Sequence, residues 1–269
     1  MDNRAIGVFD SGLGGLTTVK KLLEFLPNDD IIYLGDTGRV PYGSRSRETI
    51  IKYAGQDAVF LAGFDIKAMV IACNTVCGVA FDTLNSAYDL PVFEVITAPV
   101  RAAISATRNG KIGVIGTAAT IRSGAYESAI DLAMPDAAVF SEPCPLFVPL
   151  IENNRLSVND PAAMTIAADY LSPLRSAGVD TLILGCTHYP LLRDVISEVM
   201  GPEVALIDSG AETAKHIAAY LRKSNMLPES DRQGTVKYFV TDSAEGFSRH
   251  ASLFMEMEVE GMVEQVDLD

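Results

Sequence analysis

The chain has 269 residues, 48% apolar and 21% charged, enough for one large domain or two ordinary ones with real cores. Its net charge of −14 argues against a broad nucleic-acid surface, which needs clustered Lys and Arg, and no apolar run approaches the roughly 20 residues of a membrane span. Four scattered cysteines do not suggest a disulfide framework, and the first residues lack the shape of a signal peptide, so the expected setting is the cytoplasm.

Short apolar runs read as strands at 5–9, 30–34, 68–72, 92–95, 111–115, 137–140, 179–184, 203–207 and 235–241. After Gly15, the residues Leu16, Val19, Leu22, Leu23 and Leu26 share one face at helical spacing. Asp160-Pro161 supplies a cap and a first-turn proline for a helix that stops at Gly178. Pro190 opens another that ends near Gly201. Strands alternating with helices predict an α/β fold with parallel sheets covered by helices on both faces. A-I-G-V-F at 5–9 is echoed by K-I-G-V-I at 111–115, and each half later ends a strand on a cysteine, Cys73 and Cys186. The echo predicts two similar open sheet domains related by a pseudo-twofold axis: 1–97 with 208–269, and 98–207. The chain would cross at Thr97-Ala98-Pro99 and return at 207–210, where Asp208-Ser209-Gly210 repeats Asp10-Ser11-Gly12.

Open α/β sheets bind ligands beyond the carboxyl ends of their strands. Both V-I-A-C-N-T-V-C-G at 70–78 and L-I-L-G-C-T-H-Y-P at 182–190 end an apolar run on a thiol. If the domains face each other, Cys73 and Cys186 meet across one crevice. Each then lies at a helix N-terminus, whose unpaired N–H groups suit a carboxylate or a thiolate. Two thiols on opposite sides of one carbon form an acid–base pair that inverts a stereocentre, and a thiol's ordinary pKa of about 8.5 lies near working pH. The plainer reading of Cys73 alone is a buried strand-end thiol. Cys77, four residues on, admits a redox or zinc pair, but a second pair for zinc is missing, so burial is expected.

His188 is placed to orient or protonate the Cys186 thiol, whereas His216 and His250 have no chemical neighbours in sequence. Asp10-Ser11-Gly12-Leu13-Gly14-Gly15 matches neither the dinucleotide nor the nucleoside-triphosphate loop. Its glycines permit a tight turn close to a small ligand. Asp10 would contact an ammonium or tune the thiol; alternatively it or Ser11 caps the helix. Pro41-Tyr42-Gly43-Ser44 is a turn, either a surface loop or a source of backbone, phenol and hydroxyl contacts. By composition Glu152 is a solvated carboxylate.

Five segments, V-F-D-S-G-L-G-G at 8–15, G-D-T-G-R-V-P-Y-G at 35–43, A-C-N-T at 72–75, P-L-F-V-P-L-I-E at 145–152 and G-C-T-H-Y-P-L-L at 185–192, resemble those of bacterial glutamate racemase, in the same order and across most of the chain. The resemblance implies two α/β domains around a buried site, in homodimers. It implies interconversion of L- and D-glutamate without cofactor or metal, supplying D-glutamate for peptidoglycan, with neither nucleic acid nor membrane as partner. By position, Cys73 would act on D-glutamate and Cys186 on L-glutamate, assisted by Asp10 and His188 respectively, with Glu152 in support. Asp10, Ser11, Pro41, Tyr42, Gly43 and Ser44 would hold the amino acid together with Asn74, Thr75, Thr117, Thr120, Thr187 and His188.

Overall fold

A-I-G-V-F-D forms strand β1 (Ala5–Asp10), whose side chains alternate between two buried layers. Ile6 and Val8 enter one core with Leu16, Val19 and Leu22; Phe9 enters another with Leu61, Met69 and Ile71. A strand buried on both faces shows an unbroken apolar run rather than alternation. The computed structural model describes residues 1–229, 232–259 and 262–268. There the pattern continues through β2 (Ile31–Gly35), β3 (Ile66–Ile71), β4 (Val92–Phe93), β5 (Lys111–Gly116), β6 (Ala138–Pro143), β7 (Thr181–Gly185), β8 (Ala205–Asp208), β9 (Val236–Val240) and β10 (Val263–Gln265).

All pairings among these strands are parallel, in two sheets ordered β10-β9-β2-β1-β3-β4 and β6-β5-β7-β8. The first four strands of the larger sheet and the four of the smaller thus share one order, 2-1-3-4. The repeated glycine-bearing strand is the outward sign of a repeated topology. β9 and β10 extend the larger sheet beyond β2.

Between strands lie α1 (Leu16–Phe25), α2 (Arg47–Ala62), α3 (Asn74–Ala87), α4 (Thr97–Ala106), α5 (Ala118–Ser123), α6 (Ala125–Ala133), α7 (Phe147–Glu152), α8 (Pro161–Ala177), α9 (Arg193–Met200), α10 (Ser209–Lys223) and α11 (Ala244–Met255). Helix α8 begins as the sequence predicts: the Asp160 carboxylate accepts from Ala162 N at 2.9 Å, and Gly178 closes it at φ +75°. Among the described residues no helix is long and apolar enough to cross a membrane.

Three local expectations shift. Pro190 sits in a 3-10 turn, Tyr189–Leu192, and α9 starts only at Arg193. The strand expected over 92–95 stops at Phe93, because the Glu94 carboxylate turns to cap α4, accepting from Thr97 N at 3.0 Å and from Ile96 N. The crossing segment at Thr97 is therefore already helix, packed on α10 and on β7 and β8. Strand β10 is the addition: three edge residues, V-E-Q, of which Val263 is half-buried and the other two exposed, with too little pattern to announce a strand.

Candidate active site

In each sheet the strand order reverses at the first strand, between β1 and β3 and between β5 and β7. Loops leaving such a switch point diverge and open a crevice. Asp10 is the last residue of β1, and Cys73 follows β3 by two residues to cap α3. In the smaller sheet Thr117 follows β5 and caps α5, and Cys186 directly follows β7. These ends meet at one cavity of about 570 Å³, bordered by Cys73, Asn74 and Thr75 from one sheet and Thr117, Cys186 and Thr187 from the other.

Cys73 is buried, and its Sγ donates to Ser11 Oγ at 3.5 Å. Burial, reinforced by the nearby Asp10 carboxylate, pushes this thiol up to about 12, so it holds its proton at neutral pH. Asp10 stands one layer behind the cavity wall. Its Oδ2 accepts from Gly12 N at 3.0 Å, and its Oδ1 has no partner among the described residues. Burial raises its pKa as well. Asn74 accepts from the Tyr126 hydroxyl at 2.6 Å through Oδ1, which turns its Nδ2 into a buried donor with no protein partner among the described residues. Thr75, Thr117 and Thr120 form a hydroxyl triangle of 2.9, 3.0 and 3.3 Å that joins the two sheets at the cavity.

On the opposite side, His188 Nε2 lies 3.1 Å from Glu152 Oε1. Burial opposes a charge on this ring. Hydrogen bonds and charge from the Cys186 sulfur and Glu152 outweigh that and push His188 up to about 10. At neutral pH an imidazolium therefore stands beside Cys186. The ring is fixed by Phe254 of α11, edge-on at 5.3 Å, and by Gly14, where a Cβ would overlap both Thr187 Oγ1 and the imidazole. Thr17 Oγ1 donates to Thr187 O at 2.8 Å, tying the glycine turn to the other sheet. Gly14 thus serves close approach between the two halves, while Gly15 lets the turn pack on Asp10 and Tyr33.

The remaining candidates sort by position. Ser11, Pro41, Tyr42, Gly43, Ser44, Glu152 and His188 border the cavity, while Thr120 supports it through Thr75 and Thr117. Tyr42 has its hydroxyl engaged by Asp36 and Asp57 and its ring packed on Tyr53. Glu152 is exposed at the rim, as its composition suggested, yet it reaches His188. Cys77 lies outside the lining and donates to Ile71 O at 3.2 Å, a buried structural thiol. His216 packs on Phe93, and His250 bonds the Gly246 carbonyl. Sequence reasoning missed Arg122, Pro149 and Tyr189 in the lining, and Tyr126 and Phe254 behind it; no local pattern marks a residue whose role comes from a distant element. Among the described residues no three His, Cys, Asp or Glu side chains gather to hold a metal ion.

Comparison with known proteins identifies the family of the fold. Residues 23–217 match the Asp/Glu/Hydantoin racemase family. Glutamate racemase from Geobacter metallireducens is 48% identical over 266 residues, covering 99% of this chain and 97% of that one. Glutamate racemase isoform RacE1 from Bacillus anthracis superposes with a TM-score of 0.94 at 38% identity, covering 100% and 99% of the two chains. Francisella tularensis glutamate racemase in complex with D-glutamate superposes at 0.92 with 41% identity, again covering 100% and 99%. The chain therefore belongs to the Asp/Glu/Hydantoin racemase family and, within it, to the glutamate racemases: it is an amino-acid racemase, an isomerase.

Proposed function

We propose that this racemase interconverts L- and D-glutamate by two-thiol acid–base chemistry, without cofactor. The observation that carries the reading is that Cys73 and Cys186 border one cavity from equivalent strand ends of opposite sheets. The substrate assignment is supported by the glutamate racemases it resembles, one of them solved with D-glutamate.

In the L-to-D direction the Cys186 sulfur, as thiolate beside the His188 imidazolium, takes the α-proton. The C–H electron pair is left on Cα and spreads into the α-carboxylate. The Cys73 thiol protonates Cα from the other face and becomes a thiolate, while Cys186 becomes a thiol. That pair is the starting state for D-to-L, so each direction needs one thiol and one thiolate. The α-carboxylate binds at the N-terminus of α3, where Asn74 Nδ2 has no protein partner among the described residues and the helix dipole stabilises growing negative charge. Asp10 assists Cys73; His188, steadied by Glu152, assists Cys186.

In this reading the site lies between a unit of 1–97 with 208–269 and a unit of 98–207. The enzyme works as a cytoplasmic homodimer that supplies D-glutamate for peptidoglycan. The test is incubation of metal-free, cofactor-free enzyme with pure L-glutamate in D₂O, with L-aspartate in parallel. Expected are loss of optical rotation and α-deuterium in the glutamate sample. Absence of racemisation, or faster turnover of aspartate, would sink the proposal.

A further inference from the structure

The turn at 41–44 forms one wall of the cavity, yet its anchor lies outside. The buried Tyr42 donates its hydroxyl to Asp36 Oδ2 and lies 3.2 Å from Asp57 Oδ2. Arg39 spans the same two carboxylates: Nε donates to Asp36 Oδ2 at 2.6 Å and Nη2 to Asp57 Oδ1 at 3.0 Å. Its Nη1 donates to Gln56 Oε1 at 2.5 Å, and its guanidinium lies 4.3 Å from the Tyr53 ring centroid. Thr241, just beyond β9, donates to Asp36 Oδ1 at 2.7 Å and accepts from Gly38 N at 2.8 Å. Neither carboxylate side chain is exposed, and neither they nor Arg39 border the cavity.

We propose that Asp36, Arg39 and Asp57 are positioning residues of the racemase site, fixing the Tyr42 hydroxyl and through it the 41–44 wall that meets the amino acid. This rests on the reading of the cavity as the glutamate site. Two buried carboxylates sharing one guanidinium would leave an uncompensated negative charge, which is costly away from water. The cluster relieves it. Burial, with Asp36 close by, pushes the Asp57 carboxyl well above the usual range, and Asp36 makes the shorter contact with Arg39, 2.6 Å against 3.0 Å for Asp57. Burial and the two carboxylates also push the Tyr42 phenol up, so it stays a donor. The roles are therefore unequal. Asn at position 57 reproduces a neutral acid, whereas Asn at position 36 removes the counter-charge of Arg39.

The test is a double-mutant cycle on the full chain with D-glutamate as probe, plus two changes at position 57. Asp36→Asn and Tyr42→Phe each raise KM about tenfold with kcat changed by no more than about twofold, and the double variant is no worse than the worse single. Asp57→Ala raises KM similarly, and Asp57→Asn restores it to within about twofold of the parent. Hydrogen–deuterium exchange over residues 37–45 rises in the Asp36→Asn and Tyr42→Phe variants and stays unchanged elsewhere. That readout needs no turnover. The expected exchange pattern in an inactive parent would support the network and count against the glutamate reading alone. If Asp36→Asn fails to fold, Tyr42→Phe decides by the same two readouts. Additive effects, unchanged KM and exchange in folded variants, or an Asp57→Asn defect as large as that of Asp57→Ala would overturn the proposal.

Discussion

Replacing His188 by Gln keeps a donor toward Glu152 and removes the charge beside Cys186. The structure sets the scale. Holding the ring up to about 10 against an ordinary 6.5 corresponds to about 5 kcal/mol in favour of the imidazolium. Glu152 is 42% exposed, so solvent screens its share, and the buried Cys186 sulfur supplies the less screened part. Losing one charge-assisted contact of about 1.5–3 kcal/mol predicts a fall of about 10- to 150-fold in kcat/KM. L- and D-glutamate have equal free energy, so kcat/KM must fall equally in both directions; only kcat and KM separately can differ. The pH dependence has a definite sign. A ring whose pKa is raised on folding contributes stability that is complete below about pH 6.5 and lost as pH rises through about 10. Losing the ring proton removes the charge beside Cys186, so at saturating glutamate the parent should lose kcat on an alkaline limb near pH 10, and His188→Gln should lack that limb. Polarimetric rates in both directions between pH 6 and 11 provide the assay. A variant within about twofold of the parent, with the same alkaline limb in kcat, would rule out a catalytic role for the imidazolium.

Three further outcomes follow from the same geometry. Tyr126→Phe strips Asn74 Oδ1 of its donor and leaves it buried; the expected cost of about 1–3 kcal/mol lowers Tm by several degrees, with a raised KM as the amide loses its orientation. Gly14→Ala forces Thr187 and His188 away from the turn, so racemisation should drop at least about tenfold with about 1–3 kcal/mol of destabilisation, read by melting and initial rates. Cys77→Ser keeps a donor for Ile71 O and should retain activity within about twofold; a large loss would revive Cys77 as a functional partner of Cys73.

The strands were readable because both faces of each sheet are buried, so A-I-G-V-F and K-I-G-V-I stand out as apolar runs; their echo announced two similar sheets but not the 2-1-3-4 order they share. The site was readable for a related reason. A strand that runs apolar to its last residue and then shows Cys-Asn-Thr or Cys-Thr-His is changing environment, and the cavity begins there. What escaped depends on distance along the chain. Tyr126 orients Asn74 from 52 residues away and Phe254 backs His188 from the C-terminal helix α11, and neither position carries a local signature. Asp36 and Arg39 lay in the quoted G-D-T-G-R-V-P-Y-G segment, but their connection needs Asp57 from α2 and Thr241 from beyond β9. Strand β10 and the 3-10 turn at Tyr189–Leu192 are too short for periodicity to decide.

The central claim is that Cys73 and Cys186 serve opposite faces of one carbon. The most direct measurement is stereoinversion of glutamate by the folded single variants Cys73→Ala and Cys186→Ala, followed by optical rotation from each pure enantiomer. The account predicts that both variants lose racemisation by at least about a thousandfold, since neither thiol can supply both proton transfers. Full racemisation by either variant would contradict it.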